Sequence, residues 1–392
     1  MIWIVLFCAG VALPIYTLFV YPALLGVLSR RRARPVDSKP RRKTVSVVIP
    51  VRDGERFLAA KLRSVLSLEY PRELLDVLVV SDGSTDGTDA IAQSFSSEGV
   101  QLLRVPGRGK PAALNAGIAR ASGEILFLTD VRQTLAGDSL RLLVDCFADP
   151  SVGAASGRLL IRKGLSQGEE DMGLYRRYEA WIRERLSRID SIFGAVGSIY
   201  ALRRELAVPI PEDILLDDVY LPLAAYFAGR RLIVESRAVA WDVPAPLKTE
   251  FGRKVRTLAG NFQILAAFPG LLGWRNRMWF HFVSYKFARL LMPLALLLAA
   301  GASFFLPRPW NGLALTAQAG FYGLAALDPL VPEKAGLKRV SSLIRTFVTL
   351  LAATLCALQV LFIPPRELWK VTNPESAADC GPLRAPSSEE PR

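Results

Sequence analysis

Aspartates recur where a short apolar run gives way to a turn and then to a helical pattern, which is where an open α/β sheet keeps its ligands. In Val79-Val80-Ser81-Asp82-Gly83-Ser84-Thr85-Asp86-Gly87-Thr88, Asp82 emerges at such a strand end. A carboxylate there can accept hydrogen bonds from a base or a ribose, and Gly83 permits close backbone approach. Asp86 with Thr88 also suits the cap of the next helix. Asp130 ends a second run, Leu126-Phe127-Leu128-Thr129-Asp130-Val131-Arg132-Gln133. Gly107-Arg108-Gly109-Lys110-Pro111-Ala112-Ala113-Leu114-Asn115-Ala116-Gly117 is a glycine-flexed basic loop opening a helix. Helix amino ends and cations suit a diphosphate, although a solvated basic loop is also common. The pair Asp217-Asp218 starts a helical pattern running to Ala228, where capping and the macrodipole alone favour acids. The lone histidine, His281, excludes a His-clustered metal site and disfavours a Ser-His-Asp triad, so a general base falls to a carboxylate or a less usual group. Cys8, Cys146, Cys356 and Cys380 are scattered and read as structural thiols.

The elements that must position these residues follow from hydrophobic rhythm. Between Val45 and about Ala240, short apolar runs alternate with amphipathic stretches, which predicts a largely parallel βαβ sheet. Val45 to Ile49, stopping at Pro50, Leu75 to Val80, Gln101 to Val105 and Glu124 to Thr129 are its expected strands. Around this domain the composition changes: 51% of the 392 residues are apolar, mean hydropathy is +0.27, yet net charge is +13. That combination points to membrane insertion with basic flanks and away from nucleic acid. Ile2 to Leu28 carries no charge and is long enough to span; Arg30-Arg31-Arg32-Ala33-Arg34 then follows, as expected of an uncleaved anchor with its basic flank in the cytosol. Phe251 to Trp274 reads as an interfacial amphipathic stretch, and Leu290 to Leu306, Pro309 to Leu327 and Thr346 to Pro365 as three more spans. The expected organisation is an anchor at 1–29, a basic linker at 30–44, a cytosolic catalytic domain at 45–248, an interfacial region at 249–276, about three transmembrane helices at 277–365, and a polar tail at 366–392 placed outside by this topology.

Val48-Ile49-Pro50-Val51-Arg52-Asp53-Gly54-Glu55, taken with Val80-Ser81-Asp82-Gly83-Ser84-Thr85-Asp86, resembles the opening of a family 2 glycosyltransferase. The likeness extends from about Val45 to Arg256, and the flanking helices resemble those of membrane polysaccharide synthases of the cellulose, hyaluronan and poly-N-acetylglucosamine type. It implies an α/β domain of GT-A fold, with a Rossmann-like mixed sheet, flanked by transmembrane helices. It implies an inverting transfer from a nucleotide-sugar, expected to be a UDP-sugar, to a glycan or lipid-linked acceptor in envelope polysaccharide synthesis at the inner or plasma membrane, with export proteins as possible partners. Pro50, Glu55 and Asp82 take the family's donor-base positions, with Asp53 in place of its usual Asn. Lys110 matches the lysine near the donor. Asp218 aligns with the base that deprotonates the acceptor and Asp217 with the acid preceding it. The turn Phe193-Gly194-Ala195-Val196-Gly197-Ser198 resembles the acceptor-contact turn, which places Gly194, Ala195 and Gly197 beside the acceptor; an ordinary tight turn has the same composition.

Two departures matter. The family's Asp-x-Asp, whose carboxylates hold ribose and a divalent ion, is here Asp130-Val131-Arg132. Either Mg2+ or Mn2+ is held by Asp130, phosphate and water, or Arg132 itself supplies part of the positive charge. Arg253-Lys254-Val255-Arg256-Thr257 stands where Gln-x-x-Arg-Trp belongs; Arg256 keeps the grip on pyrophosphate, while the tryptophan platform associated with processive polymerisation is lost. Transfer of a single sugar to a polyprenyl-linked glycan, a nucleotidyltransferase, and a non-catalytic assembly subunit are the alternatives. A transporter is disfavoured because the expected spans lack charge pairs.

Overall fold

A computed structural model describes residues 1–161, 167–242, 247–332 and 335–363, with the backbone alone for 167–174 and 247–250. A long helix, α1 (Ile2–Arg31), leads by an extended linker into β1 (Val45–Val51), α2 (Glu55–Leu66), β2 (Leu75–Asp82), α3 (Thr88–Ser94), β3 (Val100–Val105), α4 (Lys110–Arg120), β4 (Ile125–Leu128) and β5 (Thr134–Leu135). There follow α5 (Ser139–Asp145), β6 (Val152–Ile161), α6 (Gln167–Ile189), β7 (Tyr200–Arg203), α7 (Asp217–Phe227), β8 (Arg231–Asp242) and α8 (Leu247–Ala267). Helices α9 (Trp279–Ser303), α10 (Trp310–Leu327) and α11 (Gly336–Leu361) close the described chain.

The eight strands form one sheet in the order β3-β2-β1-β4-β7-β6-β8-β5. The expected parallel pairing holds for β3, β2, β1 and β4, whereas β7 runs antiparallel to both β4 and β6. The outer half of the sheet is therefore mixed. The chain leaves β1 toward β2 and β3, then returns to the opposite side of β1 as β4, which creates a switch point at the carboxyl ends of β1 and β4. β1 continues through Pro50 instead of stopping there. Val48 accepts the Thr129 amide, and Pro50, two residues on, faces the same edge beyond the last paired residue of β4, so its missing N–H breaks no ladder bond.

Apolar cores cover both faces of the sheet. Leu58, Leu62, Leu140, Leu143 and Phe147 pack on one. On the other, Leu114, Ile182, Leu186 and Leu221 share a core with Tyr21 and Leu25 of α1 and Phe282 and Tyr285 of α9, so long apolar helices and domain bury each other.

Three described helices, α1, α9 and α11, are long and apolar enough to cross a membrane. α10 is not among them; Asn311, Thr316 and Gln318 dilute its apolar character. α11 begins ten residues ahead of the expected Thr346. Its charged first turns are anchored by the buried Asp328 at the end of α10, which accepts Lys338 Nζ on its carbonyl (2.9 Å) and Ser341 Oγ and Arg345 Nη1 on its carboxylate (2.6 and 3.1 Å). The tail expected at 366–392, Cys380, and Glu333 with Lys334 lie outside the described residues.

Asp190, at the end of α6, fastens the linker and the approach to α9 onto the domain. Its carboxylate accepts Arg34 Nη1 at 2.7 Å and Arg277 Nε at 2.9 Å. Asp190→Ala removes the acceptor from both guanidinium groups, partly exposed as they are, and is expected to cost about 2 kcal/mol. A thermal melt in detergent should read this as a Tm several degrees below wild type; an unchanged Tm would mean that packing alone seats the helices.

Candidate active site

The four parallel strands deliver their carboxyl ends to one rim. At the end of β2, the Asp82 carboxylate accepts the backbone amides of Arg108 and Gly109, both at 2.9 Å, and so holds the loop that presents Lys110. Gly83, at φ +65°, passes so close to this loop that a Cβ would lie 2.9 Å from Gly107. The β1 and β2 loops are interlocked as well. Asp53 Oδ1 accepts the Thr85 amide (2.7 Å), Glu55 Oε2 accepts the Gly87 amide (2.9 Å), and Glu55 returns its own amide to Asp86 (3.0 Å). Asp86 also caps α3 through the Thr88 amide (3.0 Å). Glu55 and Asp82, singled out as donor contacts, thus shape the rim through backbone bonds, and Pro50 lies buried in the floor beneath them.

Lys110 opens α4 and reaches across the sheet ends. Its Nζ lies 2.9 Å from Asp130 Oδ1 and 3.1 Å from Asp217 Oδ2. The turn at Gly194 wraps the acidic pair: the Ala195 amide donates to the Asp218 carbonyl (2.8 Å), and the Gly197 amide to Asp218 Oδ2 (3.1 Å). A Cβ on Gly197 would stand 3.1 Å from Asp218 Oδ2 and 3.5 Å from Asp130 Oδ2, so both carboxylates face the same small space. Arg256, on α8, is close enough to feel the charges of Asp217, Asp218 and Asp130. The residues the sequence marks as Asp130, Asp217, Asp218, Lys110, Gly197 and Arg256 therefore meet, and Asp82 is one loop away.

Electrostatics sorts their roles. Burial, then the charge of Asp217, pushes the Asp218 carboxyl up to about 6, against the pull of Lys110. Burial disfavours the Lys110 charge, but Asp130, Asp217 and Asp218 outweigh it and hold the ammonium protonated far above its ordinary range. Burial likewise opposes ionisation of Asp130, and Lys110 overcomes it to leave the carboxyl below its usual value.

Two partners escape a sequence reading. Arg132, within electrostatic reach of Asp130, is paired with another acid: its Nη2 donates to Asp242 at 2.6 Å, and Gln133 Nε2 donates to the same carboxylate at 2.9 Å. Asp242, buried at the end of β8, neutralises the guanidinium. Lys61 is fully buried under the rim, donating to Thr129 Oγ1 (2.5 Å) and the Gln133 carbonyl (2.8 Å); burial depresses it to about 7. A lysine on the inward face of an otherwise apolar helix stripe is the one signal that could have flagged it.

Among the described residues, no three His, Cys, Asp or Glu side chains converge to hold an ion unaided. Asp130 Oδ2 nevertheless remains turned toward Gly197, away from Lys110. A magnesium-type ion commonly takes one or two carboxylates and completes its shell with substrate phosphate and water. The site fits an ion shared with a diphosphate.

Residues 46–208 match the profile of Glycosyl transferase family 2. Among curated relatives, the probable glycosyltransferase YdaM of Bacillus subtilis is 25% identical over 243 residues, covering 57% of this chain and 56% of that protein. The poly-beta-1,6-N-acetyl-D-glucosamine synthase of Staphylococcus epidermidis is 28% identical over 216 residues, covering 52% and 51%. The chain thus matches about half the length of these relatives. A solved mannosyltransferase, PcManGT from Pyrobaculum calidifontis in complex with GDP-Man and Mn2+, superposes with a TM-score of 0.70 at 25% identity, covering 91% of this chain and 99% of that one. The strand order, the rim and these similarities define a GT-A-like fold, with the family 2 glycosyltransferase profile matched over residues 46–208.

Gly197 is the point at which a single added methyl would press on Asp218 Oδ2 and come into contact with Asp130 Oδ2. Gly197→Ala is expected to cut sugar transfer by about tenfold or more through displaced catalytic geometry, with an unchanged far-UV circular dichroism spectrum. Full activity in that variant would show that the Asp130–Asp218 spacing is not critical.

Proposed function

We propose that this protein is an inverting glycosyltransferase that moves a sugar from a nucleoside-diphosphate donor, expected to be a UDP-sugar, to a glycan or lipid-linked acceptor at a membrane surface. The carrying observation is the placement of Asp218, with its raised carboxyl, beside the ammonium of Lys110 held between Asp130 and Asp217. Asp218 takes the proton of the acceptor hydroxyl as it attacks the anomeric carbon, and the bond to the diphosphate breaks on the opposite face. Lys110 and Arg256 receive the negative charge that develops on the leaving group. A divalent ion on Asp130, Mg2+ or Mn2+, adds positive charge at the same phosphates when bound. The Mn2+ and GDP-Man of the similar mannosyltransferase support an ion of this kind and make GDP-sugars candidate donors beside UDP-sugars.

Three long apolar helices, and Arg30, Arg31, Arg32 and Arg34 just after the first, support a multi-pass protein of the cell membrane with its catalytic domain in the cytosol. Similarity to a poly-N-acetylglucosamine synthase supports a place in envelope polysaccharide synthesis, possible export proteins included. Thr257, in place of a platform tryptophan, favours short products over long polymer.

Asp218→Asn should lower the transfer rate by about 10²-fold or more while nucleoside diphosphate still binds. Because the base must be ionised, the wild-type rate should fall as pH drops through about 6. Asp217→Asn removes a neighbouring negative charge and should move that acid limb to lower pH. A pH profile indifferent to both substitutions would remove Asp218 as the base.

Titration calorimetry tests the ion separately. Chelation should weaken UDP binding, added Mn2+ should restore it, and Asp130→Asn should abolish the difference. Binding undiminished after exhaustive chelation would assign the diphosphate charge wholly to the chain's own cations.

A further inference from the structure

Helix α2 buries Leu58, Lys61, Leu62 and Val65, one stripe at helical spacing with a lysine inside it. Leu58, Leu62 and Val65 belong to the apolar core on that face of the sheet. A leucine at position 61 would complete the stripe. The Lys61 ammonium is instead fully buried, and among the described residues no carboxylate forms an ion pair with it; the acceptors it meets are uncharged oxygens, Thr129 Oγ1 and the Gln133 carbonyl. Burying a charge on neutral partners costs stability that an apolar side chain of similar size would not. The reason for the lysine therefore lies in what it holds.

It holds two turns. Thr129 and Gln133 bracket Asp130, Val131 and Arg132, so Nζ, at 2.5 and 2.8 Å, closes that turn across its ends. The same Nζ fixes the Thr129 hydroxyl hydrogen. With its oxygen accepting from an ammonium, the hydroxyl turns its own proton to the Ser198 carbonyl, at 2.6 Å. β4 and β7 pair as far as Leu128 opposite Tyr200, so this bond joins the two chains just past the end of their ladder. Ser198 follows Gly197, whose amide donates to Asp218 Oδ2 at 3.1 Å. Backbone and hydrogen bonds thus run without a break from Asp130 to Asp218, with Lys61 under the middle of the line. Lys61 is also within electrostatic reach of Asp130.

We propose that Lys61 is a positioning residue for sugar transfer: its ammonium pins the turn that carries Asp130 to the turn that holds Asp218, and so sets the distance between the donor's carboxylate and the acceptor's base. This deepens the transferase reading and rests on it. Lying beneath the rim, Lys61 acts through its neighbours and touches neither substrate. Without it, Lys110 still holds Asp130 and Gly197 still holds Asp218, so each half keeps its own contacts and loses its place relative to the other.

The test uses the full chain in detergent and four variants: Lys61→Met, Thr129→Val, Thr129→Ser, and the first two combined. Lys61→Met and Thr129→Val should each lower kcat by about tenfold or more. The Kd for UDP should stay within about threefold of wild type, with kcat counted per UDP-binding site. Thr129→Ser keeps the hydroxyl and should recover most of the rate lost in Thr129→Val. The combined variant should be no slower than Lys61→Met alone, because both substitutions cut one line. Hydrogen exchange should quicken in residues 129–133 and 194–198 together. Near wild-type kcat in Lys61→Met or Thr129→Val, additive losses, a fall in UDP sites that accounts for the lost rate, or faster exchange confined to 129–133 would each overturn the proposal. If Lys61→Met does not fold, the two Thr129 variants decide it on the same kcat, Kd and exchange criteria. Absence of sugar transfer in wild type, with both turns loosening together in the variants, would instead strike the transferase reading and leave the pinning standing.

Discussion

A single ammonium group makes the rim of this sheet possible. Asp130, Asp217 and Asp218 crowd a small and partly dry space, and carboxylates so placed repel one another and resist ionisation. Lys110 Nζ touches two of the three and offsets the third at longer range. Its position depends on the loop that Asp82 holds by two amides, and Asp82 depends on the register of β2 beside β1 and β3. Sheet topology, loop conformation and proton affinity therefore form one chain of causes. The raised carboxyl of Asp218 is what burial and then Asp217 leave in place against the pull of Lys110.

Most of this rim was legible in the sequence, because its signals are local. A short apolar run that ends in an acid marks a strand end whatever the rest of the chain does, which is how Asp82 and Asp130 stand out. The resemblance to family 2 glycosyltransferases carried Lys110, Asp217 and Asp218. Other features depend on partners far along the chain. Arg132 looks like an intruder among carboxylates until Asp242, on the far strand β8, is seen to neutralise it. Lys61 reads as one more polar residue on α2, yet it is fully buried. Glu179 and Arg289 sit in segments read respectively as domain and membrane, so nothing short of the fold joins them. Strand direction was equally hidden: residues that alternate across a sheet carry no mark of parallel or antiparallel neighbours, and β7, which was not among the expected strands, runs antiparallel to both of its neighbours. The start of α11 was missed because the charge-free run begins only at Thr346, whereas Asp328 draws Lys338 and Arg345 into the helix ahead of it.

The departure at Arg132 also changes how the donor site should be pictured. In the Asp-x-Asp pattern two carboxylates lie close to one ion. Here the second position is filled by a guanidinium paired with Asp242, which still contributes to the positive surroundings of Asp130 beside Lys110. A divalent ion bound there would be held by Asp130 among the protein's residues and would depend on donor phosphate and water for the rest of its shell, in contrast to a preassembled metal cage.

The acidic pair is supported from behind as well as from the sheet. Gly260 has no side chain where a Cβ would fall 2.4 Å from Leu216, and Gln263 accepts the Leu215 amide at 3.0 Å, so α8 lies flush against the residues that lead into Asp217. Ala353 and Ala357 of α11 rest in turn on Val255 and Ala259 of α8. A fragment trimmed ahead of α8 would keep the strand-end motifs and both aspartates, yet the ledge that braces them would be gone; the smallest unit able to do the chemistry is larger than the smallest unit able to spell it.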